Sequence, residues 1–484
     1  MLVIMFVGFI ALYLGYRFYS PFVLKQLKFD VAKKTPAHTM QDGVDYVPIG
    51  PMKNMMIQLL NIAGTGPVFG PIIAALFGPI SLIFIPIGNI FAGAVMDLGF
   101  GVMSVENEGK NFPSIARKYM GRWSTVITTI FSALLLLLVA TVFVTTPAQL
   151  IAVTFFGGNY LTYILVAIFA YYFLATILPV DKIIARFYPY FTGLLLLGTF
   201  GIFVSILFSA ITGGGGIHIP SLNEYGSMII WDNPNGVRLI PGFIVAVSCG
   251  FISGFHTTQS PIVSKTISDG RDARRIFYGM MSVEGGIAMI WAFAAMVLFT
   301  PEALADTLRE GTASLVVFRS ASQTLGIFSF LVVLAVAILP ISSCDTAFRS
   351  LRSIIAEVFH IGQSKAINRV ALAIPLFVAS ILVMQIGFDT LWMYFTWSNH
   401  MLSIMSLILI TGYLKYHKSN YFITLIPAVI LFFLNTLYLF NDNRIGPGLE
   451  WGVSAVIGLI VSVVCTILLL KFSKSFNGSE LDEM

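Results

Sequence analysis

The feature that constrains this chain most is a series of apolar runs, each long enough to cross a lipid bilayer. A helix needs roughly 20 apolar residues to span a hydrocarbon core about 30 Å thick, and thirteen segments of that kind can be placed along the sequence. Charged residues make up only 11% of the 484 residues and hydrophobic ones 57%, whereas a soluble domain carries about 25% charged residues. Because so little polar material cannot cover a water-facing surface, the sequence predicts an integral membrane protein.

The apolar runs favour helices over strands. They lack the regular alternation of polar and apolar residues that a transmembrane β-barrel requires, so the expected fold class is an all-α polytopic membrane protein. The first run has no basic residues ahead of it and no small-residue cleavage site, and we predict a retained span rather than a secretory signal. The thirteen predicted spans fall near residues 1–19, 55–77, 80–104, 123–145, 160–179, 188–211, 241–263, 276–299, 323–346, 369–387, 389–413, 420–440 and 448–471.

The positive charges indicate an orientation. Of the 28 Lys and Arg residues, 24 lie in alternate loops, and the opposite loops hold only Arg238, Arg309, Arg319 and Arg444. Cytoplasmic loops of membrane proteins carry the excess of Lys and Arg. The amino terminus is therefore predicted to be outside and the carboxyl terminus cytoplasmic. The net charge of +5 is therefore explained by the orientation of the protein in the membrane, and no nucleic-acid partner is predicted from it.

Two predicted spans contain helix-breaking sequences. The span 55–77 includes Gly64, Gly66, Pro67, Gly70 and Pro71. The span 241–263 combines glycines with a dense polar run from residue 248 to residue 261. Non-helical backbone at this depth is tolerated only where it is buried in protein or lines a cavity. Both spans are therefore expected to be interrupted helices, although glycine and proline also serve simply to let membrane helices pack closely.

The spacing of the two interrupted helices suggests an inverted repeat. Four spans separate them, so each opens a unit of five helices, and an odd repeat length makes the two units run in opposite senses through the membrane. This arrangement is typical of transporters whose substrate site lies at the midplane. The expected organisation is an N-terminal helix and cytoplasmic loop (1–54), a first repeat (55–211), an external loop (212–240), a second repeat (241–413), and two C-terminal helices with a tail (414–484).

The backbone of the two breaks provides the candidate substrate-binding residues. We expect the two stretches to face one another across a polar cavity. The candidates are Ala63, Gly64, Thr65, Gly66, Gly250, Ser253, Gly254, Phe255, His256 and Thr257. The glycine run from Gly213 to Gly216 lacks the GK[ST] ending of a phosphate-binding loop and is predicted to be a flexible external linker.

Ionisable side chains inside membrane spans are costly and so require a partner or a function. His256 lies in the second break, where it suits proton coupling or binding of a substrate carboxylate. Its alternative role is to donate hydrogen bonds to backbone carbonyls that the break leaves free. Glu284, deep in its span, is the second candidate for ion coupling. Asp97 and Asp345 are predicted to be structural partners of Arg side chains or backbone amides.

Short motifs distributed over residues 40 to 400 match a known family pattern. They are Asp42 to Pro48 (DGVDYVP), Ile62 to Pro71 (IAGTGPVFGP), Gly93 to Asp97, Ser253 to His256, and Asp272 to Arg275. The chain in these motifs resembles the carbon starvation protein A (CstA) family of the APC superfamily. It departs from the family pattern at Lys53 to Met56 and at Asn399-His400.

The resemblance implies a LeuT-like 5+5 inverted-repeat core with one extra N-terminal helix and two extra C-terminal helices. It also implies uptake of peptides or, for some members, proton-driven uptake of pyruvate. In such a core the eighth helix places hydroxyls against the first broken helix, and here these would be Ser342 and Ser343. Hydroxyl and carbonyl oxygens suit a hard cation such as sodium, but serine also packs as a small residue between helices.

The sequence therefore predicts a secondary active transporter of the inner (plasma) membrane that imports small carboxylate-bearing nutrients, peptides or pyruvate, by proton symport during carbon starvation. The alternatives are a sodium-coupled carrier of the same fold, a channel, and a membrane receptor or enzyme. No catalytic motif, metal site or cofactor is predicted, because the six His residues are dispersed. The three cysteines, Cys249, Cys344 and Cys465, lack metal-binding or disulfide spacing.

Overall fold

The computed structural model describes residues 1–177, 180–213, 216–222, 224–363 and 365–473. Gly214 and Gly215 of the predicted linker and the predicted cytoplasmic tail beyond residue 473 lie outside these residues. Among the described residues, nine helices are long and apolar enough to cross a membrane, or ten when one bent pair is counted as a single span. The all-α polytopic class is thus confirmed, whereas the count of thirteen spans stays a prediction.

The helices follow the apolar segments of the sequence closely. A single helical turn, Pro36–Thr39, lies between the first two of them. In chain order they are α1 (Leu2–Leu27), α2 (Pro51–Ile62), α3 (Gly66–Ala74), α4 (Ser81–Glu106), α5 (Phe112–Met120), α6 (Arg122–Phe156), α7 (Leu161–Ile177), α8 (Val180–Thr212), α9 (Leu239–Ser248), α10 (Gly254–Ser264), α11 (Gly270–Leu298), α12 (Pro301–Leu325), α13 (Ser329–Val358), α14 (Ala366–Val383), α15 (Phe388–Tyr416), α16 (Phe422–Asn441) and α17 (Trp451–Phe472).

The structure contains one long helix that the sequence did not predict. Helix α12 occupies a region that was expected to be an external loop, and it is sharply kinked at Gly311 and Thr312, where Thr312 has φ +62°. Its start is stabilised by the Thr300 hydroxyl, which accepts a hydrogen bond of 3.2 Å from the amide of Ala303. Five charged residues are spread along its length, so its composition is not that of an apolar span.

The two interrupted helices lie in the interior of the bundle. Helix α2 packs against α8, α10, α11 and α13, while α3 packs against α9 and α11. Helix α10 is enclosed by α4, α13 and α15. Helices α4 and α11 are themselves largely buried, whereas α1 and α17 have mostly exposed faces. Peripheral helices therefore surround the two breaks and keep them away from lipid.

Candidate functional site

The first break separates α2 from α3 and bends the chain by 48°. Gly64 N–H donates to the carbonyl of Ile62 (2.8 Å) rather than to that of Leu60, its partner in a continuous helix. Pro67 and Pro71 have no amide hydrogen to donate. Neither the Gly64 amide nor the Thr65 amide donates to the carbonyl four residues back, so the carbonyls of Leu60 and Asn61 are released at the end of α2.

The second break lies between α9 and α10 and is held by α15. Ser253 is extended (φ −149°, ψ 127°) and precedes the first residue of α10. The Asn399 Oδ1 accepts hydrogen bonds from the Phe255 amide (3.0 Å) and the Ser253 hydroxyl (2.9 Å). On the other side of the break, the His400 ring nitrogen Nε2 lies 2.7 Å from the hydroxyl of Ser248. Two consecutive residues of α15 thus bind both ends of the second break.

The two breaks meet in direct contact. A Cβ atom at Gly66 would lie 2.9 Å from the carbonyl oxygen of Cys249, and one at Gly250 would lie 2.8 Å from Cγ of Pro71. A Cβ at Gly70 would approach the Ala246 carbonyl oxygen to 2.7 Å. The glycines therefore permit backbone contact that any larger residue prevents. The sequence predicted that the breaks face one another across a polar cavity, whereas at these positions they touch.

An aromatic cluster fills the space beside the first break. The Phe143 ring lies against Gly64, where an added Cβ would be 2.7 Å from Cε2 of the ring. Phe143 packs edge-on against Phe255 and Phe395, with ring centroids 6.1 and 5.8 Å apart. Trp392 extends the cluster through Phe395 at 5.4 Å. These rings occupy the region in which the candidate substrate-binding backbone was expected to be open.

A cavity of about 540 Å³ lies next to the contact between the two breaks. Gly70, Ala246 and Cys249 form its inner wall, and Trp392 and Thr396 of α15 form another. Its outer rim carries asparagine, arginine and glutamate side chains, namely Asn233, Asn235, Arg309, Glu310 and Arg444. The rim belongs to segments that the charge pattern predicts to be external, including the helix α12. The cavity therefore leads from the predicted external side to the broken helices.

The opposite side is closed by the DGVDYVP segment. Asp42 Oδ1 accepts three backbone hydrogen bonds of 2.8 to 3.0 Å from the amides of residues 44, 45 and 46, which shape the loop. Asp45 then reaches Arg349 of α13, with 3.6 Å between Oδ1 and Nη1. Tyr46 donates to the Glu108 carbonyl (2.9 Å) and lies under the Lys265 ammonium. The loop thus connects the predicted cytoplasmic ends of α4, α10 and α13.

Charges around Asp45 determine its protonation. Burial alone would raise the pKa of this carboxyl, but the positive charges of Lys265, Arg349, Arg352 and Arg369 outweigh burial and hold its pKa below the ordinary value. The carboxylate is therefore charged throughout the physiological range.

Three buried ionisable residues come together beside the breaks. His256 Nε2 lies 3.6 Å from Glu284 Oε1, and both side chains are only 1% exposed. This distance is within ion-pair range but longer than a hydrogen bond. Ser260, one turn after His256, donates to Asp97 Oδ1 (3.1 Å), and Gln58 donates to Asp97 Oδ2 (2.8 Å). The partners of Asp97 are thus side chains of the broken helices instead of the expected Arg or backbone amides.

Among the described residues, no Lys or Arg forms an ion pair with Asp97 or Glu284. Several polar atoms near the breaks also have no hydrogen-bond partner in this part of the chain. They include both side-chain polar atoms of Asn61, the Thr65 and Thr257 hydroxyls, and one oxygen of Glu284. Buried polar groups in native proteins are nearly always paired. Their concentration here is what a site for a polar solute or an ion requires.

The two candidate serines of α13 differ in position. Ser343 Oγ lies 3.3 Å from the Leu60 carbonyl and 3.4 Å from the Asn61 carbonyl, the two carbonyls released by the first break. Ser342 instead donates to Leu339 within its own helix (2.9 Å). Asp345, the second predicted structural residue, accepts a hydrogen bond of 3.0 Å from the Tyr188 hydroxyl. Only Ser343 therefore belongs to the break.

The structure adds Asn399, His400 and Phe143 to the residues that sequence reasoning selected. Asn399-His400 was visible in the sequence as a departure from the family pattern, but nothing local indicated that it would bind a segment about 150 residues away. Phe143 lies in an ordinary apolar run. No local sequence signal distinguishes it from the other aromatic residues of the membrane spans.

Comparison with known proteins places this fold among transporters. The described chain superposes on MhsT in complex with L-phenylalanine with a TM-score of 0.57 at 11% identity, over 88% of this chain and 99% of that one. It superposes on Mhp1, a nucleobase-cation-symport-1 family transporter, with a TM-score of 0.52 at 15% identity, over 89% of this chain and 96% of that one. This likeness concerns the fold alone and confirms the predicted LeuT-like class.

Related sequences include transporters and a membrane protein without an assigned function. An uncharacterized membrane protein of Haemophilus influenzae is 36% identical over 63% of this chain and 94% of its own length. The peptide transporter CstA of Helicobacter pylori and the pyruvate/proton symporter BtsT of Escherichia coli are each 26% identical, over 59% and 60% of this chain. The matched stretch spans about half of each named transporter, 49% and 48%. These named relatives are transporters rather than enzymes.

A family model agrees with these relatives. The model described as carbon starvation protein CstA matches residues 1–157 and 147–309, which include both broken helices and most of the DGVDYVP contacts. The chain therefore belongs to the carbon starvation protein CstA family.

Proposed function

We propose that this chain is a secondary active transporter that imports a small carboxylate-bearing nutrient, a peptide or pyruvate, by proton symport through the inner membrane. One observation carries the proposal: the buried His256–Glu284 pair beside the contact of the two broken helices. The named relatives, one a peptide transporter and one a pyruvate/proton symporter, support the substrate class and the coupling ion. The charge pattern supports an external amino terminus and a cytoplasmic carboxyl terminus.

The electrostatics of the cluster support a proton as the coupling ion. A charged carboxylate inside a membrane protein is costly unless a cation or hydrogen-bond donors compensate it. Among the described residues, the His256 ring lies 3.6 Å from Glu284, and the hydrogen bonds to Asp97 come from Gln58 and Ser260. A proton taken up by the His256–Glu284 pair would neutralise the acid, and its release would restore the charge. Each transport cycle would then move one proton with the substrate.

The positions of the half-helices support recognition of a carboxylate. Helix α3 begins at Gly66 and α10 begins at Gly254, so two helix N-termini lie at the breaks. Helix N-termini carry partial positive charge and favour anionic groups. The unpaired hydroxyls of Thr65 and Thr257 lie in the same stretches. The substrate carboxylate would bind between these helix ends after the aromatic rings around Phe143 move.

Sodium coupling is a second candidate, favoured by one observation. Ser343 Oγ lies within 3.4 Å of the two released carbonyl oxygens, those of Leu60 and Asn61, so three oxygen atoms come together here. Oxygen ligands of this kind suit a hard cation. Bound there, sodium would link α13 to the first broken helix.

Transport in proteoliposomes distinguishes these proposals. Counterflow of labelled pyruvate against labelled di- and tripeptides identifies the substrate. Uptake is then driven by a pH gradient without sodium, and separately by a sodium gradient at constant pH, in wild type and in His256→Gln, Glu284→Gln and Ser343→Ala. We expect pH-driven uptake that is lost in Glu284→Gln and His256→Gln and kept in Ser343→Ala. Sodium-driven uptake that disappears only in Ser343→Ala would contradict proton coupling.

A further inference from the structure

A second large cavity faces the lipid, away from the broken helices. It is a groove of about 930 Å³ between α1, α8 and α11. Nearly all of its lining is aromatic or aliphatic, and Arg275 is its one charged side chain. Lipid is the medium around these helices, so an acyl chain is the natural occupant of such a surface. The shape and the charge of the groove select one kind of lipid.

The groove is blind at one end. Phe203 of α8 lies edge-on to Phe6 and Phe9 of α1, with ring centroids 6.3 and 5.8 Å apart. Phe203 also packs edge-on against Phe293 of α11, at 5.9 Å. These rings join α1, α8 and α11 at the end that the topology predicts to be nearer the external side. An acyl chain that lies in the groove would therefore end against these rings.

The open end carries the positive charge. Arg275 is 51% exposed, and its Nε lies 3.1 Å from Asp272. Neither of its Nη groups donates a hydrogen bond to another described residue. Beside it, Arg274 stacks on the Tyr16 ring (4.9 Å to the centroid) and donates to the Tyr16 carbonyl, which fixes the middle of α1 against α11. The mouth is thus a structured opening with a guanidinium able to bind a phosphate.

The length of the groove matches one leaflet. Its lining on α11 runs from Arg275 to Ile290, which at 1.5 Å per residue is roughly 22 Å. Half of a bilayer that is about 40–45 Å thick with its headgroups is about 20–22 Å. Arg275 lies in a loop that the charge pattern predicts to be cytoplasmic. The groove therefore extends from the cytoplasmic headgroup level to near the midplane.

We propose that this groove is a binding site for an anionic glycerophospholipid of the cytoplasmic leaflet, with one acyl chain in the slot and the phosphate at Arg275. Basic pockets on the cytoplasmic side of membrane helices favour anionic headgroups. This site is independent of the proposed transport function.

The test uses the full chain in phosphatidylcholine nanodiscs and a phosphatidylglycerol probe with a photoactivatable acyl chain. We expect crosslinks on peptides from α1 or α11, competed by phosphatidylglycerol and not by phosphatidylcholine. Arg275→Gln should weaken probe binding about fivefold, since a basic residue near the membrane surface contributes about 1 kcal/mol to binding of anionic lipid. Gly286→Leu, at a position where a Cβ meets nothing closer than Phe9 at 3.6 Å, should block the slot and abolish the crosslinks.

The matched control is Arg271→Gln. Arg271 lies in the same loop, is 76% exposed and pairs with Asp269 outside the groove, so its loss should leave probe binding unchanged. Arg275→Lys retains the charge and should bind the probe, which separates a loss of charge from a loss of folding. The proposal would be overturned if Arg275→Gln crosslinked as strongly as wild type, or if phosphatidylcholine competed with the probe. It would also be overturned if Arg271→Gln lost as much crosslinking as Arg275→Gln.

Discussion

Two glycines of the first break meet different neighbours. At Gly66 an added Cβ would be 2.9 Å from a backbone atom, the Cys249 carbonyl oxygen, which cannot rotate away. At Gly64 it would meet the edge of the Phe143 ring, which can shift at the expense of its contacts with other rings. Gly66 therefore determines how closely the broken helices approach, and Gly64 determines how the aromatic rings around Phe143 pack.

This difference predicts graded effects on transport. Overpacking at a close contact costs roughly 1–3 kcal/mol, so Gly66→Ala should lose most of its uptake and Gly66→Val all of it, while Gly64→Ala keeps part of it and Gly64→Val none. Gly193→Ala is the control, because no atom lies within 4 Å of an added Cβ there. Uptake is measured at equal amounts of membrane-inserted protein. Wild-type uptake by Gly66→Val would show that the contact between the breaks is not needed.

Asp45 gives a prediction about pH. Its folded-state pKa is lowered by the surrounding cations, so the stability that it contributes is complete above the unfolded value of about 3.9 and is lost as the pH falls through the lowered pKa. Asp45→Asn should therefore reduce the free energy of unfolding by roughly 1–3 kcal/mol at pH 5 to 8. The difference from wild type should shrink below about pH 4. Thermal unfolding in detergent measures the stability loss and its dependence on pH. If Asp45→Asn were as stable as wild type at pH 7, the Asp45 loop would not stabilise the closed cytoplasmic side.

At the scale of elements, the second break depends on a side chain of α15. Asn399→Ala would leave the Phe255 amide and the Ser253 hydroxyl without their acceptor. Loss of a helix N-cap costs about 1 kcal/mol, and we expect a lower melting temperature together with lower uptake. Asn399→Asp keeps an acceptor oxygen and should retain more of both. Ser398→Ala, which removes only a bond within α15, is the control and should behave like wild type.

The breaks could be predicted from the sequence because the glycines and prolines that cause them are local. Pro67 occupies the first turn of α3, where a missing amide hydrogen costs no helical bond, so it marks where a new helix begins. The capping of the second break could not be predicted, since Asn399 lies 144 residues from Phe255. Helix α12 was missed because its charged residues and its kink at Gly311 make it look like a loop. Local chemistry is readable from sequence, whereas contacts between distant helices require the fold.

For the whole molecule, the described conformation is open on one side of the breaks and closed on the other. The cavity of about 540 Å³ reaches Cys249 from the predicted external side. At the DGVDYVP loop on the predicted cytoplasmic side, the described residues leave a space of about 10 Å³, lined by Asp45, Lys265, Arg349 and Ser350 among others. A transporter of this fold works by exchanging such states around one central site. The direct contact at Gly66 and the Asp45 loop are the two places where this exchange would change the structure.

The most direct test of alternating access is the reactivity of single cysteines at the two sides. In a variant without native cysteines, Thr396→Cys probes the outer cavity and Ser350→Cys the closed side. Labelling with a small thiol reagent is followed in membranes with and without pyruvate or a dipeptide at acidic pH. We expect the transported substrate to slow labelling at residue 396 and to speed it at residue 350. Alternating access would be contradicted by labelling that does not depend on the substrate, or by rapid labelling of both positions at once, as in a channel.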